Sequence, residues 1–183
     1  VLRVALIEGQ TPSAETPHDY DVRVSAITLA SRALFENIAA WEGMRSRRVS
    51  PLREMHVWDA QGSGAIHFDA AELGEAELGY IIENRVIVAA TLERLKQFGN
   101  VDVFCPSAVT AVSTDAARVS VELQGGECLT ARLVVGADGA HSSIREWAGI
   151  RSRGWNYQQT AIVATVKTVQ PHRACAYQVF HPT

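Results

Sequence analysis

Around one turn of the sequence, Gly136-Ala137-Asp138-Gly139-Ala140-His141 followed by Ser142-Ser143-Ile144-Arg145-Glu146, small residues, a carboxylate and a guanidinium stand close together. Glycine lets a backbone approach a ligand closely, Asp138 can accept hydrogen bonds from ribose or ribityl hydroxyls, and a helix starting after the turn offers amides to a pyrophosphate. Arg145 can add a fixed positive charge. The same spacing also describes a plain strand-to-helix turn with a capping serine, so it does not decide the chemistry alone. Ser143 and Glu146 have capping-box spacing, which predicts a short helix starting there. Glu8 closes an aliphatic run, Val1 to Ile7, as the acidic end of the second strand does in a dinucleotide-binding βαβ unit, where it accepts from ribose hydroxyls. A surface glutamate ending a strand is the alternative. Arg23 and Arg85 each stand near the start of a structured segment, where a guanidinium fork could reach a diphosphate or an acidic partner. Solvated surface arginines are the alternative there.

These residues need elements to hold them. Residues 9–22, rich in Gly, Pro, Thr, Ser and Asp, read as a loop. Leu29, Ala33, Leu34, Ile38 and Trp41 recur at helical spacing and predict one buried stripe on a helix over 28–41. Two alternating runs, 54–59 and 65–69, flank Gln61-Gly62-Ser63-Gly64, where glycine could supply positive φ angles, and predict a hairpin. Asn84 can cap a helix running to Phe98, with Val86, Ala89, Ala90, Leu92 and Leu95 on its apolar side and Gly99-Asn100 closing it. Val101 to Phe104, Val109 to Val112, Arg118 to Leu123 and Leu129 to Val135 read as strands, the last two joined by Gly125-Gly126. Leu133-Val134-Val135, apolar on successive residues, fits a central parallel strand with the Gly136 turn at its carboxyl end. Beyond Gly149, 155–169 and 174–180 predict strands of a second sheet.

Composition narrows the function. A chain of 183 residues can bury one sizeable core or one domain and part of a second. With 47% hydrophobic residues, 20% charged and a net charge of -3, it has no basic excess to attract a phosphate backbone, so nucleic acid is not an expected partner. No apolar run approaches the roughly 20 residues of a membrane span and no signal peptide is evident, so a soluble, cytoplasmic protein is expected. The 3 cysteines are widely separated and read as reduced, mostly buried small hydrophobes. The 6 histidines include no HxxxH or HExxH spacing, so no zinc site is expected.

The run from Gly136 to Arg145 closely resembles the GADGxxSxxR fingerprint of class A flavoprotein aromatic hydroxylases. Asp21-Val22-Arg23-Val24-Ser25-Ala26-Ile27, Leu78-Gly79-Tyr80-Ile81-Ile82-Glu83-Asn84-Arg85, Trp155 to Val163 and Ala176 to Phe180 are similar to the ubiquinone-biosynthesis branch of that family, so the resemblance spans essentially the whole chain. It implies an α/β fold: a Rossmann-like FAD-binding domain, incomplete here, with part of a mixed β-sheet substrate domain. The expected division is 1–52 and 78–153 for the FAD domain and 53–77 and 154–183 for the substrate domain. The resemblance assigns Glu8 to the adenosine ribose, Arg23 and Arg85 to the flavin site, and the backbone of Val109 to the adenine. It assigns Asp138, Gly139 and Arg145 to the loop near the FAD pyrophosphate and the nicotinamide nucleotide.

The implied reaction uses NAD(P)H and O2 to hydroxylate a hydrophobic, polyprenylated phenol, with the hard chemistry carried by FAD and no side chain acting as a nucleophile. The family's first strand with GxGxxG and its later GDAxH-type segment do not occur in the sequence, so an internal piece lacking a complete active site is expected. Alone it should be colourless and prone to self-association through unpaired strand edges, which leaves a homo-oligomer open. Peripheral membrane association of the parent within a biosynthetic complex is compatible with this reading. Two alternatives stand beside it: a non-catalytic binding module, and an FAD-dependent oxidase or reductase of the same fold.

Overall fold

The computed structural model describes residues 2–12 and 19–181, so Val1 and positions 13–18 of the expected loop lie outside the described residues. The chain is α/β and divides into two compact units, residues 1–11 with 99–161 and residues 12–98 with 162–183.

In the first unit, β1 (Val4–Ile7) pairs in parallel with β7 (Val101–Phe104), the connection between them being the whole of the second unit's first segment. Next comes an antiparallel meander, β8 (Val109–Thr114), β9 (Val119–Leu123) and β10 (Cys128–Ala131), in the order β10-β9-β8. Gly125 and Gly126, at φ 110° and 89°, make the expected turn between β9 and β10. Helix α4 (Ser143–Trp147) lies against β8.

The second unit holds the larger core. β6 (Gly79–Glu83) runs between β2 (Val24–Thr28) and β3 (Ser50–Leu52), antiparallel to both. Helices α1 (Leu29–Asn37), α2 (Trp41–Arg45) and α3 (Asn84–Leu95) accompany this sheet. Ile27, Trp41, Met44, Tyr80, Ile82 and Val86 meet in one cluster, Met44 and Val86 with no exposed surface. The expected hairpin is present as β4 (Glu54–Asp59) and β5 (Ala65–Asp69), and β11 (Cys175–Phe180) joins β4 in parallel to give the order β11-β4-β5.

Gly79 has a steric reason to be glycine. A Cβ built there would lie 2.6 Å from the Ile27 carbonyl oxygen, a backbone atom fixed by the β2–β6 ladder. Gly79→Ala is therefore expected to lower stability by about 1–3 kcal/mol, the usual range for overpacking, and urea unfolding followed by tryptophan fluorescence would measure it. An unchanged midpoint would show that the ladder yields at this point.

Several sequence expectations are corrected. The helix over 28–41 is two helices, because Ala39 adopts φ 57° and ends the first one; Leu29 and Trp41 meet the core as expected, but Leu34 and Ile38 are exposed and Phe35 packs against the core in their place. Asn84 is the first residue of α3 rather than its cap, and its Oδ1 accepts from the Ser25 hydroxyl at 2.6 Å. The 59–65 turn does not use positive φ at Gly62 or Gly64; Asp59 Oδ1 organises it by accepting from the Gln61 and Gly62 amides, both at 2.8 Å. Those two amides hold the Asp59 carboxyl below its ordinary range.

Leu133 to Val135 is not a strand. Leu133 and Val135 are 75% and 76% exposed and pair with no strand among the described residues, since apolar character alone cannot replace a ladder partner. Residues 155–169 lack strand pairing for the same reason, whereas 175–180 forms β11. The cysteines are free but none is buried: Cys105 and Cys175 are half-buried, and Cys128, on the outer strand of the meander, is exposed.

Candidate functional site

Five of the seven candidate residues, Glu8, Val109, Asp138, Gly139 and Arg145, fall in the first compact unit, and Arg23 and Arg85 fall in the second.

Glu8 follows the last residue of β1, so it stands at the carboxyl end of a parallel strand, where ligands of open α/β sheets bind. It is exposed, and its Oε1 accepts from the Gln10 amide at 2.9 Å. Its backbone is pinned on both sides: the Glu8 amide donates to the Phe104 carbonyl at 3.0 Å, and the Ser107 amide donates to the Glu8 carbonyl at 2.8 Å. The latter bond draws the segment before Val109 to this strand end, with Gly9 facing Ala108. Val109 opens β8 opposite Leu123, and the ladder shifts register between Val109 and Ala111. The structure thus brings Glu8 and the Val109 strand together, although they are far apart in sequence.

The Gly136 turn is a closed hydrogen-bonded knot. Asp138 Oδ1 accepts from the Ser142 hydroxyl, and Oδ2 accepts from the Ile144 amide at 3.1 Å. The Ser142 hydroxyl and the Ile144 amide hold the Asp138 carboxyl below the ordinary aspartate range. Ser142, not Ser143, is the helix cap: its Oγ accepts from the Arg145 amide at 3.0 Å, and it is buried. Its hydroxyl also donates to Asp138, so Ser142 ties the helix start to the turn. Arg145 turns back, Nη2 donating to the Ala140 carbonyl at 2.9 Å. A Cβ on Gly136 would sit 2.9 Å from the Ile144 side chain, so the turn can close onto α4 only with glycine there. Gly139 is exposed and has φ 85°, a left-handed conformation, and beyond its two chain neighbours no described atom lies within 4 Å of where its Cβ would stand. Its backbone is therefore open to an incoming ligand.

In the second unit, Arg23 and Arg85 are joined through the backbone, the Asn84 amide donating to the Arg23 carbonyl at 3.0 Å. The Arg23 side chain is exposed and has no ion-pair partner among the described residues. Arg85 is half-buried and oriented: Nε donates to Glu83 Oε2 at 2.8 Å, and Nη2 donates to the Asp19 carbonyl. Glu83 is the residue sequence reasoning missed. Only 5% exposed at the end of β6, it also accepts from the Asp21 amide at 2.9 Å and pairs with Arg48 at 3.1 Å. Its acidic character next to Arg85 was the available signal, but burial, which makes it a hub, has no local signature.

A parallel strand ending in an exposed carboxylate, together with a glycine turn knotted onto a helix, defines an α/β domain of the nucleotide-cofactor type. The chain belongs to the FAD-binding domain family, whose profile matches residues 15–182. It is 38% identical over 179 residues to the ubiquinone hydroxylase UbiL of Rhodospirillum rubrum, covering 98% of this chain and 41% of that protein. It is 35% identical over 162 residues to the 3-demethoxyubiquinol 3-hydroxylase of Escherichia coli, covering 88% and 41%. To the mitochondrial ubiquinone biosynthesis monooxygenase COQ6 of Danio rerio it is 37% identical over 177 residues, covering 91% and 36%. The chain thus spans about two fifths of the length of these relatives. Among solved structures, Pseudomonas aeruginosa PqsL (a variant with four substitutions) superposes with a TM-score of 0.69 at 21% identity, over 85% of this chain and 41% of that one. The p-nitrophenol 4-monooxygenase PnpA of Pseudomonas putida gives 0.63 at 21%, over 80% and 37%. Both show the same fold.

Proposed function

We propose that the protein is an FAD-dependent monooxygenase of ubiquinone biosynthesis, hydroxylating a polyprenylated phenol with NAD(P)H and O2, of which this chain supplies part of the flavin site. The observation that carries it is the Gly136 turn, held shut by Asp138 and Ser142 yet open at the Gly139 backbone. The residues present suit FAD. In the first unit Glu8 offers a solvent-facing carboxylate to ribose hydroxyls and the β8 backbone at Val109 suits a flat base; in the second, taken by itself, Arg23 and Arg85 carry positive charge suited to a diphosphate. Arg145 acts at one remove, holding the Ala140 carbonyl and so the shape of the turn. Bound there, FAD supplies the redox and oxygen chemistry, while the side chains bind and orient it.

In this reading residues 1–52 and 78–153 serve the flavin and residues 53–77 and 154–183 the substrate. A lipophilic substrate brings the parent to a membrane surface without spanning it; among the described residues no helix is long and apolar enough to cross one. Self-association of this chain on its own is also part of the reading, through strand edges such as that of β1. The test is product analysis by mass spectrometry on the full-length protein, comparing a prenylated phenol with soluble hydroxybenzoates. Oxygen insertion into the prenylated ring is expected; turnover of the soluble acids alone would overturn the substrate assignment. NAD(P)H consumption with no oxygenated product would favour an oxidase or reductase.

A further inference from the structure

The β11-β4-β5 sheet carries, on one face, a cluster that the flavin reading does not use. Residues of a strand alternate between faces, and laterally paired residues share one, so Glu54 and His56 of β4 lie with Cys175 and Tyr177 of β11 and with His67 and Asp69 of β5. The His56 ring is stacked between His67, at 4.2 Å between centroids, and Tyr177, at 5.5 Å. That stack turns both imidazole Nε2 atoms toward one carboxylate oxygen: Glu54 Oε2 lies 3.4 Å from His56 Nε2 and 3.3 Å from His67 Nε2. All three atoms fall within 4.8 Å of one another.

We propose that Glu54, His56 and His67 form a binding site for a divalent first-row transition ion, Zn2+ fitting best, with a fourth position open to solvent. The separations exceed the usual N–H···O distance of about 2.9–3.0 Å. They match the edge of about 3.3 Å in a tetrahedron whose zinc bonds are about 2.05 Å long. The donor set, two neutral imidazoles and one carboxylate, is one that zinc takes in sites with an open position. Each ligand is half-exposed, at 41–42% of its side-chain surface, so an ion can enter without opening the fold. Tyr177 packs its ring on the outer face of the His56 imidazole, the two planes 21° apart. Its part is to hold the His56 ring in place. Sequence spacing concealed the site because Glu54 and His67 are 13 residues apart and meet only through the hairpin register.

Isothermal titration of the 183-residue chain with ZnCl2 in a non-chelating buffer tests this. Saturable one-to-one binding is expected, weakened by Glu54→Gln and by His67→Asn more than about tenfold, the least that losing even an outer-shell partner of a metal ligand costs. His181→Asn, altering a histidine outside the cluster, should leave it unchanged. Nitrogen chemical shifts of the His56 and His67 rings should move on zinc addition. Absence of saturable binding, or binding indifferent to the Glu54 and His67 variants, would overturn the proposal and leave the cluster as a packed ring stack.

Discussion

Glu83→Ala is expected to destabilise the second unit by about 3–5 kcal/mol, the range for removing one partner of a buried charge network. The carboxylate is 5% exposed and serves Arg85 Nε, the Asp21 amide and Arg48 together. The Arg48 and Arg85 side chains are 28% and 19% exposed, so solvent cannot fully replace the lost charge. Alanine would remove the carboxylate that Arg48 and Arg85 share, leave strand β6 without its link to Asp21, and free Arg85 to leave its present orientation. Glu83→Gln, which still accepts from the Asp21 amide, should lose less. Urea denaturation of the three proteins gives the comparison, and a Glu83→Ala midpoint equal to that of the parent chain would show that the network contributes little.

Asp138→Ala in the full-length protein is expected to weaken FAD binding about 10- to 100-fold, as loss of hydrogen bonds to a charged group does. The carboxylate is engaged by the Ser142 hydroxyl and the Ile144 amide, so it acts by holding the turn that presents the Gly139 backbone. Asp138→Asn should fall between, because an amide offers one acceptor oxygen where the turn uses two. The pH dependence follows the same bonds. With its folded-state pKa depressed, Asp138 stabilises the turn fully above the unfolded value of about 3.9 and loses that effect as pH falls through the lower folded value. Flavin release traced to this residue should therefore begin only below about pH 4. Fluorescence titration of FAD between about pH 3 and 7 measures both effects; equal affinities for the parent and the Asp138→Ala variant would remove the residue from the site.

What was legible in the sequence is local. The hairpin of β4 and β5 follows from alternation, α3 from three- and four-residue apolar spacing, the β9–β10 turn from a glycine pair, and the Gly136 turn from residue types inside one short window. Each depends on backbone and side-chain preferences within a few residues, which a sequence carries directly. The break at Ala39 was not legible, since a left-handed alanine is imposed by packing and contradicts its own preference.

By itself, then, the sequence determined the α/β character, the carboxylate at the end of the first strand and the glycine turn with its helix. Tertiary structure alone decided which charges are buried, where Asp138 directs its oxygens, and which side chains meet. Glu83 became a hub because β6 is central and carries it beneath Arg48 and Arg85. Leu133 and Val135 stayed exposed because a strand needs a neighbour, which their own apolar character cannot supply. Glu54, His56 and His67 converge because strand register sets cross-strand neighbours, and register is fixed by hydrogen bonds between segments, not within them.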